Sequence, residues 1–220
     1  MMSTVINFQD SNSIYNNFLS ELRDRNVQSD AMRFRRNLER LGEISALEIS
    51  RHLRYSSRNV VTPLGRAPMN LIDESLVLAT ILRAGLPLHQ GLLNYFDAAE
   101  NCFISAYRKH TSEDEFDVEI EYMSSPSLLG KTVLLSDPML ASGKSMVLAY
   151  KALLKRGVPK KIHVVSVIAS QKGVDFVKNN LPEDTTIWIG AIDKEMTKES
   201  YIVPGLGDAG DLAFGIKKDD

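Results

Sequence analysis

Cysteine is almost absent. Cys102 stands alone, which excludes an internal disulfide and a multi-cysteine metal site. Its neighbours Phe103 and Ile104 are apolar, so a buried, unreactive thiol is expected. Neither sign of charge is in excess. Lysine plus arginine number 26 and aspartate plus glutamate 28, a formal net charge of −2. That balance gives no footprint for nucleic acid or an anionic membrane, while leaving room for a local basic pocket. No apolar run approaches the roughly 20 residues of a membrane span, and the best stretch, 76–88, is interrupted by Arg83. No basic segment followed by an apolar one opens the chain, so no secretory signal is read, and a soluble cytoplasmic protein is expected. His52, His89, His110 and His163 are scattered without metal-ligand spacing. Internal repeats and low-complexity linkers are missing as well.

What is present is a composition with enough apolar residues for a core, 44 % hydrophobic over 220 residues. One domain spanning 1–220 is expected. The first 15 to 20 residues are polar and read as an arm. From Ser29 to Arg54 apolar residues recur on one broad helical face, with Ser29 or Asp30 as cap. Thr62-Pro63-Leu64-Gly65 and Ala67-Pro68 break that pattern. After them the chain alternates. Buried strands are expected at 76–82, 103–107, 132–135, 162–168 and 186–192, and helices at 87–96, 143–156 and 171–180. Residues 115–122 alternate charged and apolar side chains, a half-exposed strand of a hairpin. Strands separated by helices imply an α/β fold with a mainly parallel central sheet flanked by helices. In such sheets ligands bind beyond the carboxyl ends of the strands.

Three loops at those ends carry chemistry. Asp137-Pro138-Met139-Leu140-Ala141-Ser142-Gly143-Lys144-Ser145 follows a strand and opens a helix. The first amides of a helix have no internal partner and carry positive potential. Small residues let an anion approach them, and Ser142 and Ser145 add hydroxyl donors, so a phosphate cradle is expected. Gly143-Lys144-Ser145 also invites the nucleoside-triphosphate loop G-x-x-x-x-G-K-[ST]. Its first glycine falls at Pro138, which lacks the N–H and the backbone freedom needed there. The second loop is Arg83-Ala84-Gly85. A guanidinium at the end of a buried strand reads as a phosphate fork or as a surface ion pair. Arg108 repeats the arrangement one strand later. The third loop runs from Tyr201 to Asp211, and its small residues expose backbone donors and acceptors suited to the edge of a planar heterocycle.

Together these segments resemble the uracil phosphoribosyltransferase family. The resemblance rests on Ile81-Leu82-Arg83-Ala84-Gly85-Leu86, Tyr107-Arg108, Asp137 to Ser145, and Tyr201-Ile202-Val203-Pro204-Gly205-Leu206-Gly207-Asp208-Ala209-Gly210-Asp211, continued by Phe214-Gly215 and preceded by Leu22-Arg23-Asp24. It implies a type I phosphoribosyltransferase fold with a hood and an arm hairpin at about 110–128, and a base-binding C-terminal loop at about 193–220. It implies transfer of phosphoribose from 5-phosphoribosyl 1-diphosphate to uracil, giving UMP and diphosphate. By similarity, residues 137–145 hold the ribose 5-phosphate, with Asp137 on the ribose hydroxyls. Arg83 and Arg108 hold the pyrophosphate, and Asp208 lies by the donor. Asp208, Arg83, Arg108 and Asp137 are thus the implied catalytic set. Tyr201, Ile202, Gly207, Asp208 and Ala209 read the uracil. Mg²⁺ is implied as a cofactor bound mainly through substrate, without a protein metal site. A homodimer or homotetramer and GTP as an effector are implied too, with no nucleic acid or membrane partner. The family carries glycine where this chain has Lys144, so a positive φ needed at that position would cost on the order of 1 kcal/mol here.

Overall fold

The computed structural model describes residues 3–110 and 116–217, without the side chains of 106–110 and 116–119. The chain opens with strand β1 (Thr4–Asn7) and helices α1 (Tyr15–Arg23) and α2 (Ala31–Ser50). A ribbon follows, β2 (Tyr55–Thr62) and β3 (Gly65–Ile72). Then come β4 (Leu76–Leu82), α3 (Leu86–Tyr95), β5 (Glu100–His110), β6 (Phe116–Ser124), β7 (Thr132–Ser136), β8 (Met139–Leu140) and α4 (Lys144–Leu153). The last part holds β9 (Lys161–Ser170), α5 (Gln171–Asn180), β10 (Thr186–Asp193), β11 (Glu195–Met196), β12 (Ile202–Val203) and α6 (Ala209–Phe214).

The main sheet has the order β1-β10-β9-β7-β4-β5-β6, with the short β8 added on β9. Every pairing in it is parallel except β5 with β6. Strand residues alternate between two cores, as the two-residue period of a strand requires. Leu76, Leu78, Leu134, Val165, Val167 and Trp188 face a first core with Phe34, Leu38, Leu41 and Ile49 of α2. Val77, Ala79, Val133, Leu135, Val164, Ile187 and Ile189 face a second core with Met146 and Val147 of α4 and Val174 and Val177 of α5. Both faces are covered, so the strands read as unbroken apolar runs. Each fully buried Leu, Ile or Phe contributes roughly 1.5–3 kcal/mol. Asp30 caps α2 by accepting from the Arg33 N–H, and Ser170 caps α5 by accepting from that of Gly173.

Three segments depart from the sequence reading. Residues 4–7, expected as part of a polar arm, form an edge strand parallel to β10, with Thr4 beside Thr186. Val5 and Ile6 pack toward opposite cores, but four residues are too few to show an alternation. Helix α1 buries Tyr15, Leu19 and Leu22 where the arm was also expected. The stretch with Pro63 and Pro68 is the ribbon β2–β3, paired only with itself. Proline is tolerated there because each strand of a two-stranded ribbon is an edge. The hairpin expected around 115–122 is present as β5–β6. Cys102 is fully buried, and desolvation pushes its thiol pKa up, as expected for an inert thiol. No helix among the described residues is long and apolar enough to cross a membrane.

Candidate active site

The strand order reverses between β4 and β7. From β4 the chain runs outward to β5 and β6, then returns to β7 on the other side. Such a reversal leaves a crevice at the carboxyl edge, where neighbouring connections diverge to opposite faces. The two strands are tied at that edge: the Thr80 hydroxyl donates to the Ser136 carbonyl at 3.3 Å, and the Ser136 hydroxyl to that of Ala79 at 3.2 Å. The turn 83–85 and the loop 137–143 leave these strands side by side.

The loop after β7 is held by backbone bonds to β9, joined by side-chain bonds of Asp137, Ser142 and Ser170. The Asp137 N–H donates to Val165 O at 3.1 Å, and Pro138 O accepts from the amides of Val167 and Ile168. Met139 and Leu140 pair with Ile168 and Ala169. Leu140 packs inward and Pro138 is buried, while Asp137 is half-buried and accepts from the Met139 N–H at 3.2 Å. The Ser170 hydroxyl, itself the α5 cap, donates to Ala141 O at 2.6 Å. Ser142 then accepts from the Lys144 N–H at 3.4 Å. Gly143 precedes α4 with φ +78° and ψ −9° and supplies no side-chain cap. With no side-chain cap from Gly143, the start of α4 has the helix N-terminal geometry suited to an anion. The positive φ falls on Gly143 and not on Lys144, whose backbone is helical. Lysine is accommodated at 144 without the strain its place in the pattern suggested. Ser142 and Ser145 are half-buried and Lys144 is exposed.

The opposite wall is the turn after β4 with α6. Arg83 is 42 % exposed, and its Nη2 donates to Asp211 Oδ1 at 3.1 Å and to Gly215 O at 3.2 Å. The surface ion pair weighed for Arg83 is thus present. Asp208 caps α6 by accepting from the Asp211 N–H at 3.0 Å. A Cβ at Gly210 would stand 3.2 Å from the Asp208 carboxylate and 3.8 Å from the Arg83 guanidinium, so the two groups flank one small residue. Arg108 lies on β5, next to β4, and its side chain is outside the described residues. The Leu82–Arg83 and Val203–Pro204 peptide bonds are cis.

The loop expected to read the base crosses beyond the end of β10. Ile202 pairs with Met196, and Ile202, Leu206 and Ala209 are buried, whereas Tyr201, Gly207 and Asp208 are exposed. Its supports come from far away in the sequence and were missed there. Arg23 forms a two-pronged pair with Asp193 at 2.8 and 3.0 Å and also donates to Gly205 O at 3.0 Å. The Gly205 N–H donates to the same Asp193 at 3.0 Å. Gln28 donates to Leu206 O at 3.2 Å, and Arg35 to Ala213 O at 2.6 Å at the end of α6. Among the described residues no group of three or more His, Cys, Asp or Glu side chains is arranged to hold a metal. Mg²⁺ keeps much of its water and is commonly bound by one or two carboxylates with substrate phosphates. The hard oxygens of Asp137 and Asp208, on the two walls, fit an ion of that kind.

A mainly parallel sheet with this reversal and these loops defines a type I phosphoribosyltransferase fold. A hypoxanthine phosphoribosyltransferase from Staphylococcus aureus shares it, with a TM-score of 0.50 and 13 % identity over 72 % of this chain and 74 % of its own. A solved protein of Aquifex aeolicus superposes with a TM-score of 0.86 at 29 % identity, covering 97 % of this chain and 99 % of that one. The family profile described as uracil phosphoribosyltransferase matches residues 10–216. A uracil phosphoribosyltransferase of Porphyromonas gingivalis is 55 % identical over 213 residues, 97 % of this chain and 99 % of its own length. One from Pyrobaculum arsenaticum is 42 % identical over 199 residues, 89 % of this chain and 92 % of its own. The chain belongs to the uracil phosphoribosyltransferase family.

Proposed function

We propose that the chain catalyses pyrimidine salvage, joining uracil N1 to C1 of 5-phospho-α-D-ribose 1-diphosphate and releasing UMP and diphosphate. The observation that carries this reading is the switch-point cleft, with helix amides behind Gly143 on one wall and Arg83 with Asp208 on the other. In this assignment Ser142, Gly143, Lys144 and Ser145, with the backbone of 138–141, take the 5-phosphate, and Asp137 takes the ribose hydroxyls. Arg83 and Arg108 take the diphosphate, and Asp208 sits between donor and base. Tyr201, Ile202, Gly207, Asp208 and Ala209 bound the uracil.

Loss of diphosphate leaves positive charge on the ribose ring and gathers negative charge on the departing group. Fixed cations aimed at that developing charge lower the barrier more than any general base would. Arg83 exchanges Asp211 for the diphosphate as the donor binds. Asp208, anchored by its cap, presents a carboxylate near the cationic ring. Bound mainly through the donor, with Asp137 and Asp208 as the nearby carboxylates, Mg²⁺ would supply charge neutralisation on the leaving group. The β5–β6 hairpin is assigned as an arm that excludes water from the sugar.

We also assign a cytoplasmic location and a homodimer or homotetramer. Assembly is supported by the β2–β3 ribbon, which leaves Val61 and Leu64 exposed, because an isolated two-stranded ribbon is marginal in water. Light scattering on the purified chain tests it, and a monomer at micromolar concentration refutes it. The GTP effector rests on the family likeness alone, and a rate unchanged by GTP removes it. The activity is tested by mixing protein, Mg²⁺ and the phosphoribosyl donor with uracil, cytosine or hypoxanthine in turn. UMP formed from uracil alone is expected, and no nucleotide from uracil overturns the assignment.

A further inference from the structure

The N–H and carbonyl of Gly205 and the carbonyl of Leu206 are directed inward. Gly205 gives its N–H to Asp193 and its carbonyl to Arg23. Leu206 gives its carbonyl to the side-chain amide of Gln28, whose same nitrogen also donates to Leu22 O at 2.8 Å. That amide carries two hydrogens, and these two carbonyls account for both. Gln28 therefore bolts the base loop to the turn after α1. Asp193 is 9 % exposed and Arg23 21 %, so the pair beneath Gly205 is largely withdrawn from water. Gly205 has φ +60°, and a Cβ there would lie 2.1 Å from Ile202 O. The chain can pass through this point only as glycine.

A trans peptide unit is planar, with its carbonyl and its N–H on opposite sides. The Leu206–Gly207 bond is not among the cis bonds. With the Leu206 carbonyl turned onto Gln28, the Gly207 N–H is turned the other way, to the exposed side of the loop. Its direction is set by a side chain that lies behind the loop. A donor fixed before binding needs no ordering when its acceptor arrives, and that advantage appears as affinity.

We propose that Gln28, acting with the Arg23–Asp193 pair, is a positioning residue that aims the Gly207 amide and thereby sets the affinity for uracil. This rests on residues 202–209 being the base loop. Glutamate at 28 keeps the size of the side chain, removes both hydrogens and sets a carboxylate against the Leu206 carbonyl. Lysine at 23 keeps the charge but not the fork that spans Asp193 and Gly205.

Steady-state kinetics on full-length Gln28→Glu and Arg23→Lys, varying each substrate at saturating levels of the other, test the proposal alongside thermal unfolding. In Gln28→Glu the KM for uracil should rise about tenfold, the effect of one net hydrogen bond lost. The KM for the phosphoribosyl donor and kcat should stay within about twofold. Arg23→Lys should raise the uracil KM severalfold in the same selective way. An unchanged uracil KM in Gln28→Glu overturns the proposal. So does a parallel rise in both KM values with a lowered unfolding midpoint, which marks a merely structural role. The backbone amide signal of Gly207 in the wild-type chain, followed by NMR on adding UMP, separates the two levels. If that signal moves and the variant KM does not, the positioning role alone fails. If the wild-type signal stays still, the base-loop reading fails and takes the proposal with it.

Discussion

The loop at 137–145 and the loop at 202–209, both assigned to the proposed cleft, are built by opposite means. The first is held by the strand before it, the strand beside it and the helix after it, through backbone bonds to Val165, Val167 and Ile168. The second is held by side chains of Arg23 and Gln28, 182 and 178 residues away in sequence for their Gly205 and Leu206 bonds. The difference suits the two kinds of ligand proposed for them. Phosphate is met by amides and small residues, a recognition that local geometry supplies on its own. A base edge demands donors and acceptors in a set order, and a flexible loop meets that demand only when its peptides are pinned from outside.

The largest test of this contrast strikes where the two loops share the donor. Asp208→Ala should lower kcat on the order of 10² to 10³, the scale of one preorganised electrostatic contact. Loss of the α6 cap should add about 1 kcal/mol of destabilisation. Unchanged turnover in a uracil assay removes Asp208 from the site.

Next comes a test on the core beneath both loops. His163 is fully buried, and its Nδ1 accepts from the Trp188 indole at 3.2 Å. Burial first, and then Lys161, hold its pKa down to about 4, against about 6.5 in the unfolded chain. A depressed histidine contributes stability that is complete above pH 6.5 and is lost as pH falls from there to 4. The full loss is about 3 kcal/mol. Urea unfolding at pH 7.5 and 4.5 should show it, and His163→Asn should flatten the dependence. A wild-type stability that stays level over that interval contradicts the assignment.

Arg83→Ala should raise the KM for the phosphoribosyl donor by about tenfold or more, as expected for one charge-assisted contact. The uracil KM should move less. Equal rises for both substrates would erase the distinction drawn between the two walls. The smallest effect belongs to Lys144→Gly. Because Gly143 already carries the positive φ, activity should stay within about tenfold, a barrier change of about 1.4 kcal/mol. A larger change in either direction gives Lys144 a role of its own.

The same contrast explains what the sequence disclosed. The parallel sheet was legible because β4, β7 and β9 are buried on both faces and so read as apolar runs. The loop 137–143 was legible as a strand-to-helix connection because strand, small residues and helix follow one another within a dozen positions. Arg23, Gln28 and Arg35 were not, since nothing near them in the chain marks Asp193, Leu206 or Ala213 as their partners. Strands β2 and β3 were illegible for another reason. Nearly all of their residues meet solvent, so neither an alternation nor an apolar run exists to be seen, and Pro63 and Pro68 suggest only a break.

The sheet divides the hydrophobic interior into two compartments, and the two loops are rooted unequally in them. Ile202, Leu206 and Ala209 sink into the compartment with α2, whereas the loop 137–145 straddles the partition, with Met139 and Ala141 against the first compartment and Leu140 in the second beside Met146 and Val147. Packing changes in the compartment with α2 thus reach both loops, while changes in that with α4 and α5 reach the loop 202–209 only through the sheet. In the proposed assignment, distant and wholly apolar substitutions under α4 and α5 would retune the sugar-phosphate side alone, with the strands serving as a stiff partition that shields the base side.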